Sequence, residues 1–159
     1  MTKFLALIAA CAGPLFLCLP AVSQTPAVAY SRQELIQLAD QMHEQMKSSP
    51  NAAAGLFEKR LDSSTILAFR TKDGSAELHQ QFADVFVVLR GSATLITAGA
   101  ITSPVTTTPG EIRGTGIQQG ARRDLKEGDI VHISAATPHQ LLLPPGGTFT
   151  YFVVKIPLK

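Results

Sequence analysis

The chain has no tryptophan and only two cysteines, Cys11 and Cys18, which both fall near its start. If that first segment is removed, no thiol remains, which excludes disulfides, cysteine-ligated metals and cysteine nucleophiles. Charge is also sparse, with 14 Lys and Arg residues against 12 Asp and Glu residues and no basic block. Nucleic-acid-binding surfaces need clustered basic side chains, so we expect no nucleic-acid partner.

Residues 1–23 have the pattern of a secretory signal peptide. Lys3 precedes an apolar run that ends near Pro20, and small residues follow at Ala21 and Ser23. A Gly-Pro pair interrupts the run, which is short for a membrane span of roughly 17–25 residues. We therefore predict cleavage after Ser23, a secreted or periplasmic protein, and no stable membrane span after processing. A retained membrane anchor or a lipid anchor is the alternative.

Residues 24–54 are predicted to form a short leader and one N-terminal helix. Ser31 followed by Glu34 is a capping-box pattern, and Pro50 would end the segment. His43 lies off the apolar stripe, so it is predicted to be an exposed helix residue. The stripe itself has helical spacing and consists of Leu35, Leu38, Ala39, Met42 and Met46.

Residues 55–159 are predicted to form one all-β domain. Short runs rich in β-branched and aromatic residues alternate with turn residues, among them Gly91-Ser92 and Gly128-Asp129. No helices alternate with these runs, which favours a sandwich or a barrel. The stretch 100–123 carries repeated Pro and Gly residues and is predicted to be a long loop with at most one short strand. It would lie either over a barrel mouth or on the surface.

Two motifs in this domain resemble those of the cupin family of small jelly-roll barrels. In the first, Glu77-x-His79 stands where the family has His-x-His. After four intervening residues Asp84 takes the place of the family's Glu, and after six more intervening residues Gly91 closes the motif. The residue order and spacing match, but a carboxylate replaces the first histidine.

The second motif begins at Gly128 in "GDIVHI" and ends at His139 in "TPHQ". Ser134 and Ala136 stand where the family has Pro and Gly. The resemblance implies a cupin double-stranded β-helix, a jelly-roll barrel, carrying one N-terminal α-helix. It also implies that copies of the chain can pair into a homodimer.

The resemblance further implies a metal site made of Glu77, His79, Asp84 and His139. Glu77 and His79 are two apart on one strand and share a face, whereas Asp84 rejoins that face only if the chain turns between them. Two imidazoles and two carboxylates suit iron, manganese, zinc or nickel. Converging carboxylates also need a cation, which could be a metal, a protonated histidine or an arginine such as Arg90. Alternatively, these side chains only form hydrogen bonds within the sheet.

Three functions follow as hypotheses. The first is an exported cupin that binds a divalent metal, namely zinc, manganese or iron, and acts on or binds a small oxygen-bearing organic molecule. The second is a non-catalytic module that binds a sugar or a phenolic compound without metal. The third is a structural role. Fold alone does not choose between them.

Other residues receive narrower predictions. By strand alternation His132 shares a face with Ile130 and Ser134, which favours packing on the sheet over a role as ligand. The apolar wall of the cavity is expected to include Phe86, Val88, Leu95 and Tyr151.

Overall fold

A computed structural model describes residues 27–48, 55–62 and 64–158 of the chain. The predicted signal peptide at 1–23 and the predicted helix-ending Pro50 lie outside the described residues. Within the described ranges, no helix combines the length and hydropathy that a membrane crossing requires.

Helix α1 spans Arg32–Met46 and begins at the predicted cap. The Ser31 side chain accepts a hydrogen bond from the Glu34 backbone N–H, and the Glu34 carboxylate accepts one from the Ser31 backbone N–H. This reciprocal pair satisfies two backbone donors that a helix start otherwise leaves open. The predicted capping box is therefore confirmed.

Within the described residues, twelve strands follow the helix. The first six are β1 (Leu56–Arg60), β2 (Thr65–Arg70), β3 (Ala76–His79), β4 (Phe82–Thr97), β5 (Ala100–Thr102) and β6 (Val105–Thr108). The others are β7 (Glu111–Gly114), β8 (Gly116–Gln118), β9 (Ala121–Lys126), β10 (Ile130–Ile133), β11 (His139–Leu142) and β12 (Phe149–Pro157).

The long strand β4 joins two antiparallel sheets. Its first half pairs with β10 and β12, and β12 continues to β2 and β1. Its second half pairs with β9 and β11, and β11 continues through β3 and β7 to β6. Two antiparallel sheets that share a bent strand enclose the core of an all-β jelly-roll barrel, so the predicted fold class is confirmed.

Gly91 lies where β4 passes from one sheet to the other. Its φ is +86°, and a Cβ there would lie 2.1 Å from the carbonyl oxygen of Thr148. Only glycine combines that left-handed conformation with that close approach. The turn predicted at Gly91-Ser92 is therefore wrong: the strand continues through both residues and bends.

The long loop predicted at 100–123 is also wrong. The segment contains strands β5 to β8 and the first residues of β9, and β5 pairs with β8 in a small separate ladder. Its Pro and Gly residues lie largely at the turns between very short strands, which a composition-based reading does not separate from a loop.

Helix α1 packs on the outside of its own barrel. Its stripe residues Leu35, Ala39 and Met42 are buried against Phe69 and other side chains of the sheet. His43 is half-buried rather than exposed, with its ring 4.5 Å from that of Phe69. The prediction was wrong because His43 lies four residues after Ala39, on the edge of the buried face.

Candidate metal and ligand site

The cavity of the barrel has a volume of about 540 Å³. Apolar and aromatic side chains form part of its wall, including the predicted Phe86 and Tyr151. Val88 and Leu95 were predicted to join them, but they are buried in the adjoining hydrophobic cluster instead. Four basic and four acidic side chains also line the cavity: Arg60, Arg70, Arg113, Lys155, Glu58, Glu77, Asp84 and Glu111.

Strand register brings the two motifs together. His139, the first residue of β11, lies directly opposite Glu77 on β3. His79, the last residue of β3, lies opposite Glu111 on β7. Directly opposed residues of antiparallel strands have side chains within contact distance on the same face. Each histidine of the site is thus paired across the ladder with a carboxylate-bearing residue.

Asp84 reaches the same cavity from β4. The chain bends at Gln80 and Gln81 between β3 and β4. Strict alternation from His79 would place Asp84 on the opposite face, and the bend brings its side chain to the same cavity. The Asp84 side chain is 3% exposed and lies opposite Lys155 of β12. The predicted turn before Asp84 is therefore present.

The two imidazole rings are neighbours, with centroids 5.3 Å apart and planes tilted by 50°. Nε2 of His79 lies 3.4 Å from Oδ2 of Asp84 and 3.6 Å from Oε2 of Glu77. Nε2 of His139 lies 3.8 Å from the same Asp84 oxygen. One ligand atom each from Glu77, His79 and His139 lies within 4.8 Å of the others, a grouping compact enough to surround one ion.

Both histidines are oriented through their other ring nitrogen. Nδ1 of His79 is 2.6 Å from Oε2 of Glu111, and Nδ1 of His139 is 3.1 Å from the carbonyl oxygen of Thr137. When the ring is neutral, each acceptor favours the tautomer with the proton on Nδ1, so that Nε2 presents its lone pair to the cavity. Metal-binding histidines are commonly held by such a hydrogen bond.

Lys155 adds a fixed cation to the cluster. Its Nζ donates to Oδ1 of Asp84 at 2.9 Å and lies 3.3 Å from Nε2 of His79. The expectation that a positive charge accompanies the carboxylates is met by this lysine and by Arg70 and Arg113, which lie beside Glu77.

Arg90, which was named as a candidate for that charge, is not part of the cluster. It lies on the outer surface, where it forms an ion pair with Asp40 of α1. His132 also faces away from the cavity and shares a face with Ile130 and Ser134, as strand alternation predicted. The packing predicted for it is wrong, because that face is exposed.

The two cavity histidines hold protons differently. Burial alone would lower the pKa of His79, but hydrogen bonds to Asp84 and Glu77 raise the pKa to about 9. For His139 burial dominates and lowers the pKa, although the charge of Glu77 opposes this. In the metal-free protein at neutral pH, His79 is therefore a cation and His139 a neutral imidazole.

The pKa values of the two cavity carboxylates are both lowered. Burial alone would raise the pKa of Glu77, but the hydrogen bond from His79 and the charge of Arg113 lower the pKa to about 2. Burial likewise opposes ionisation of Asp84, and hydrogen bonds from His79 and Lys155 lower its pKa below the usual value. Both acids are charged at neutral pH, as metal ligands must be.

Sequence reasoning missed Arg70, Glu111, Arg113 and Lys155. Strand alternation could have found Lys155, because it shares its parity on β12 with the predicted wall residue Tyr151. Glu111 and Arg113 lay in the stretch predicted to be a loop, where no register could be assigned.

Both motifs thus converge from paired strands on one cavity inside a jelly-roll barrel. The chain folds as a jelly-roll barrel that resembles those of cupins. Among solved structures, a sugar phosphate isomerase of the cupin superfamily from Silicibacter pomeroyi is 17% identical, with a TM-score of 0.47 over 68% of this chain and 63% of that one. A predicted oxalate decarboxylase from Thermotoga maritima is 13% identical, with a TM-score of 0.46 over 65% of this chain and 81% of that one.

The CENP-C cupin domain of Drosophila melanogaster is 10% identical, with a TM-score of 0.45 over 63% of this chain and 65% of that one. The chain thus covers less than two thirds of the length of this domain and of the isomerase. No family model matches the sequence, and no curated protein matches it closely. At such identities and TM-scores these comparisons carry no argument about function, which is argued from the site.

Proposed function

We propose that this cupin binds one divalent transition metal, namely zinc, manganese or iron, and uses it to bind or act on a small oxygen-bearing organic molecule. One observation carries the proposal. Both imidazoles have Nδ1 held by an acceptor and Nε2 directed into the same cavity, beside carboxylates. Nitrogen and oxygen donors in this combination suit those three metals.

Glu77, His79 and His139 are the ligand set that this geometry favours. Asp84 is either a fourth ligand or the counter-ion of Lys155, because one of its oxygens faces the histidines and the other accepts from the lysine. A bound divalent ion would supply a Lewis acid that polarises a ligand oxygen. His79 would give up its proton when the ion binds, since only a neutral imidazole ligates.

The other cavity side chains would position the organic molecule. Nζ of Lys155 lies within the cluster and can donate a hydrogen bond to an oxygen atom there. Phe86 and Tyr151 present rings that exclude water from one side of the cavity. Charged groups act more strongly where water is excluded.

The test is elemental analysis of protein purified without a metal-binding tag and then loaded with zinc, manganese or ferrous iron. We expect about one ion per chain, as in other single-ion sites. His79→Ala and His139→Ala should each lose the ion while the barrel remains folded by circular dichroism. His132→Ala is the matched control, because that histidine is exposed and faces away from the cavity. Retention of the ion in both cavity variants would contradict the proposal.

A metal-free binding module is the second candidate, and Lys155 is the observation that favours it. Its ammonium group already lies between a carboxylate of the cluster and Nε2 of His79, and so supplies a cation without any ion. In that case the cavity would bind a sugar or a phenolic compound through hydrogen bonds. Absence of metal uptake together with retained ligand binding would identify this function.

We also propose that the protein is exported, with 1–23 as its signal peptide. The proposal rests on the basic, apolar and small-residue order of that segment. N-terminal sequencing of protein recovered from the periplasm or the medium should find Gln24 first. Recovery only from the cytoplasm, beginning at Met1, would contradict export.

A further inference from the structure

Arg113 has two partners in the cavity, and both are shared with His79. Its Nη1 lies 3.3 Å from Oε2 of Glu77, and its Nη2 lies 3.5 Å from Oε2 of Glu111. The same Glu111 oxygen is 2.6 Å from Nδ1 of His79, and the same Glu77 oxygen is 3.6 Å from Nε2 of that histidine. Each carboxylate is therefore committed to the imidazole as well as to the guanidinium.

The guanidinium consequently retains unused donor capacity. Its Nη1 is buried, yet it forms no aligned hydrogen bond with any of the described residues. A buried donor without an acceptor costs free energy, more so when it carries charge. The planar fork of an arginine fits the two oxygens of a carboxylate, and such paired, charge-assisted bonds are strong.

The balance of charges around the cavity also favours an anionic ligand. Four basic and four acidic side chains line it, so they balance when both histidines are neutral. A divalent ion would leave the lining with an excess of positive charge. An anionic ligand would offset that excess, because burying uncompensated charge is costly.

The rest of the lining indicates that the anion carries an organic body. Ile66, Phe86 and Val153 line the same cavity as the charged groups. Its volume of about 540 Å³ is within the range of about 300–1,000 Å³ that is usual for small-molecule sites.

We propose that the cavity binds a small organic acid, with its carboxylate on Arg113, its apolar body against the aliphatic and aromatic wall, and a further oxygen directed to the histidine cluster. The inference deepens the proposed function and rests on the same cavity. The Arg113 contact itself does not require a metal, so the two can be tested separately.

The experiment is calorimetric titration of the full chain, metal-free and zinc-loaded, with lactate and mandelate and with the neutral amides of both acids. The structure predicts that at least one acid binds and that it binds more tightly than its amide. Arg113→Gln should weaken binding of that acid about 10- to 100-fold and leave amide binding unchanged. Arg123→Gln is the matched control, because that arginine is exposed on β9 and does not line the cavity.

A second variant guards against misfolding of the first. Arg113→Lys keeps the charge but loses the fork, and should give an affinity between those of the wild type and Arg113→Gln. Equal affinity for acid and amide, or an unchanged affinity in both Arg113 variants, would overturn the proposal. Failure of both acids to bind in either state would also overturn it. Metal content measured on the same samples shows separately whether the proposed metal function holds.

Discussion

Strand β2 has one face toward the cavity and the other under helix α1, and both faces are buried. Ile66 and Arg70 line the cavity, whereas Leu67 and Phe69 pack against the helix. The outer contact is apolar apart from the ring of His43, and the inner one includes a network of charged groups. The outer face of this strand thus stabilises the fold by packing, whereas the inner face contributes to the ligand cavity.

The largest expected effect concerns the inner face. Glu77→Gln should weaken zinc binding by about two orders of magnitude or more, since even residues beyond the ligands commonly contribute 10- to 100-fold. Asp84→Asn should weaken it less, because Asp84 already has Lys155 as partner. Competition with a fluorescent zinc chelator measures both. A larger loss in Asp84→Asn than in Glu77→Gln would reverse this assignment of ligands.

The outer face should show the opposite behaviour. Leu67 is fully buried between the sheet and α1, so Leu67→Ala should lower the free energy of unfolding by about 3 kcal/mol. Zinc affinity measured below the unfolding transition should not change. Urea denaturation followed by circular dichroism gives the first quantity. A folded variant with weakened zinc binding would show that the two faces are coupled.

Gly91 connects the two regions through the bend of β4. Gly91→Ala should destabilise the protein by about 2 to 3 kcal/mol, because it adds backbone strain and a contact with the Thr148 carbonyl. Gly128→Ala is the matched control: φ there is +89°, but a Cβ would meet nothing within 4 Å. Denaturation of both variants should give the smaller loss for Gly128→Ala; equal losses would mean that the close approach at Gly91 is unimportant.

The inner face should also make the stability of the metal-free protein depend on pH. The folded-state pKa of His79 is raised from 6.5 to about 9, so its contribution is full below about pH 6.5 and disappears as the pH rises through 9. Each pKa unit corresponds to about 1.4 kcal/mol, so we expect a loss of up to about 3 kcal/mol between pH 6 and pH 9.5. Denaturation at both pH values tests this, and His79→Gln should remove most of the difference. An equal loss in that variant would assign the effect to other groups.

The smallest expected effect concerns the outer surface. Arg90 and Asp40 form an ion pair that joins β4 to α1, and both side chains are substantially exposed. Asp40→Asn should therefore change the free energy of unfolding by at most about 1 kcal/mol. Urea denaturation of the wild type and the variant should show this small difference in the free energy of unfolding at low salt and no difference at high salt, where the ion pair is screened. A loss comparable with that of Leu67→Ala would mean that the helix is held by charge rather than by packing.

The sequence was sufficient for the barrel and for the convergence of its motifs. Short runs of β-branched and aromatic residues between turn residues predicted the strands, and motif spacing placed Glu77, His79 and His139 in one cavity. It was not sufficient for groups whose position depends on strand register. Glu111 acts on His79 only because β7 pairs with β3, and that pairing joins residues 32 apart in the chain.

Composition gave wrong predictions at positions where the backbone conformation of glycine and proline determines the structure. The repeated Pro and Gly residues between 100 and 123 indicated a loop, but they mark turns between short paired strands. Gly91 resembled a turn residue, whereas its conformation allows a continuous strand to change sheets. Both errors arose because the same residue types serve turns and bends.

The most direct test of the central claim is the crystal structure of the zinc-loaded protein, with anomalous data collected at the zinc absorption edge. We predict one strong anomalous peak in the cavity, about 2.0 to 2.2 Å from Nε2 of His79, Nε2 of His139 and a carboxylate oxygen. A peak only at outer histidines such as His43 or His132, or no peak in the cavity, would contradict the claim that the inner face is the metal site.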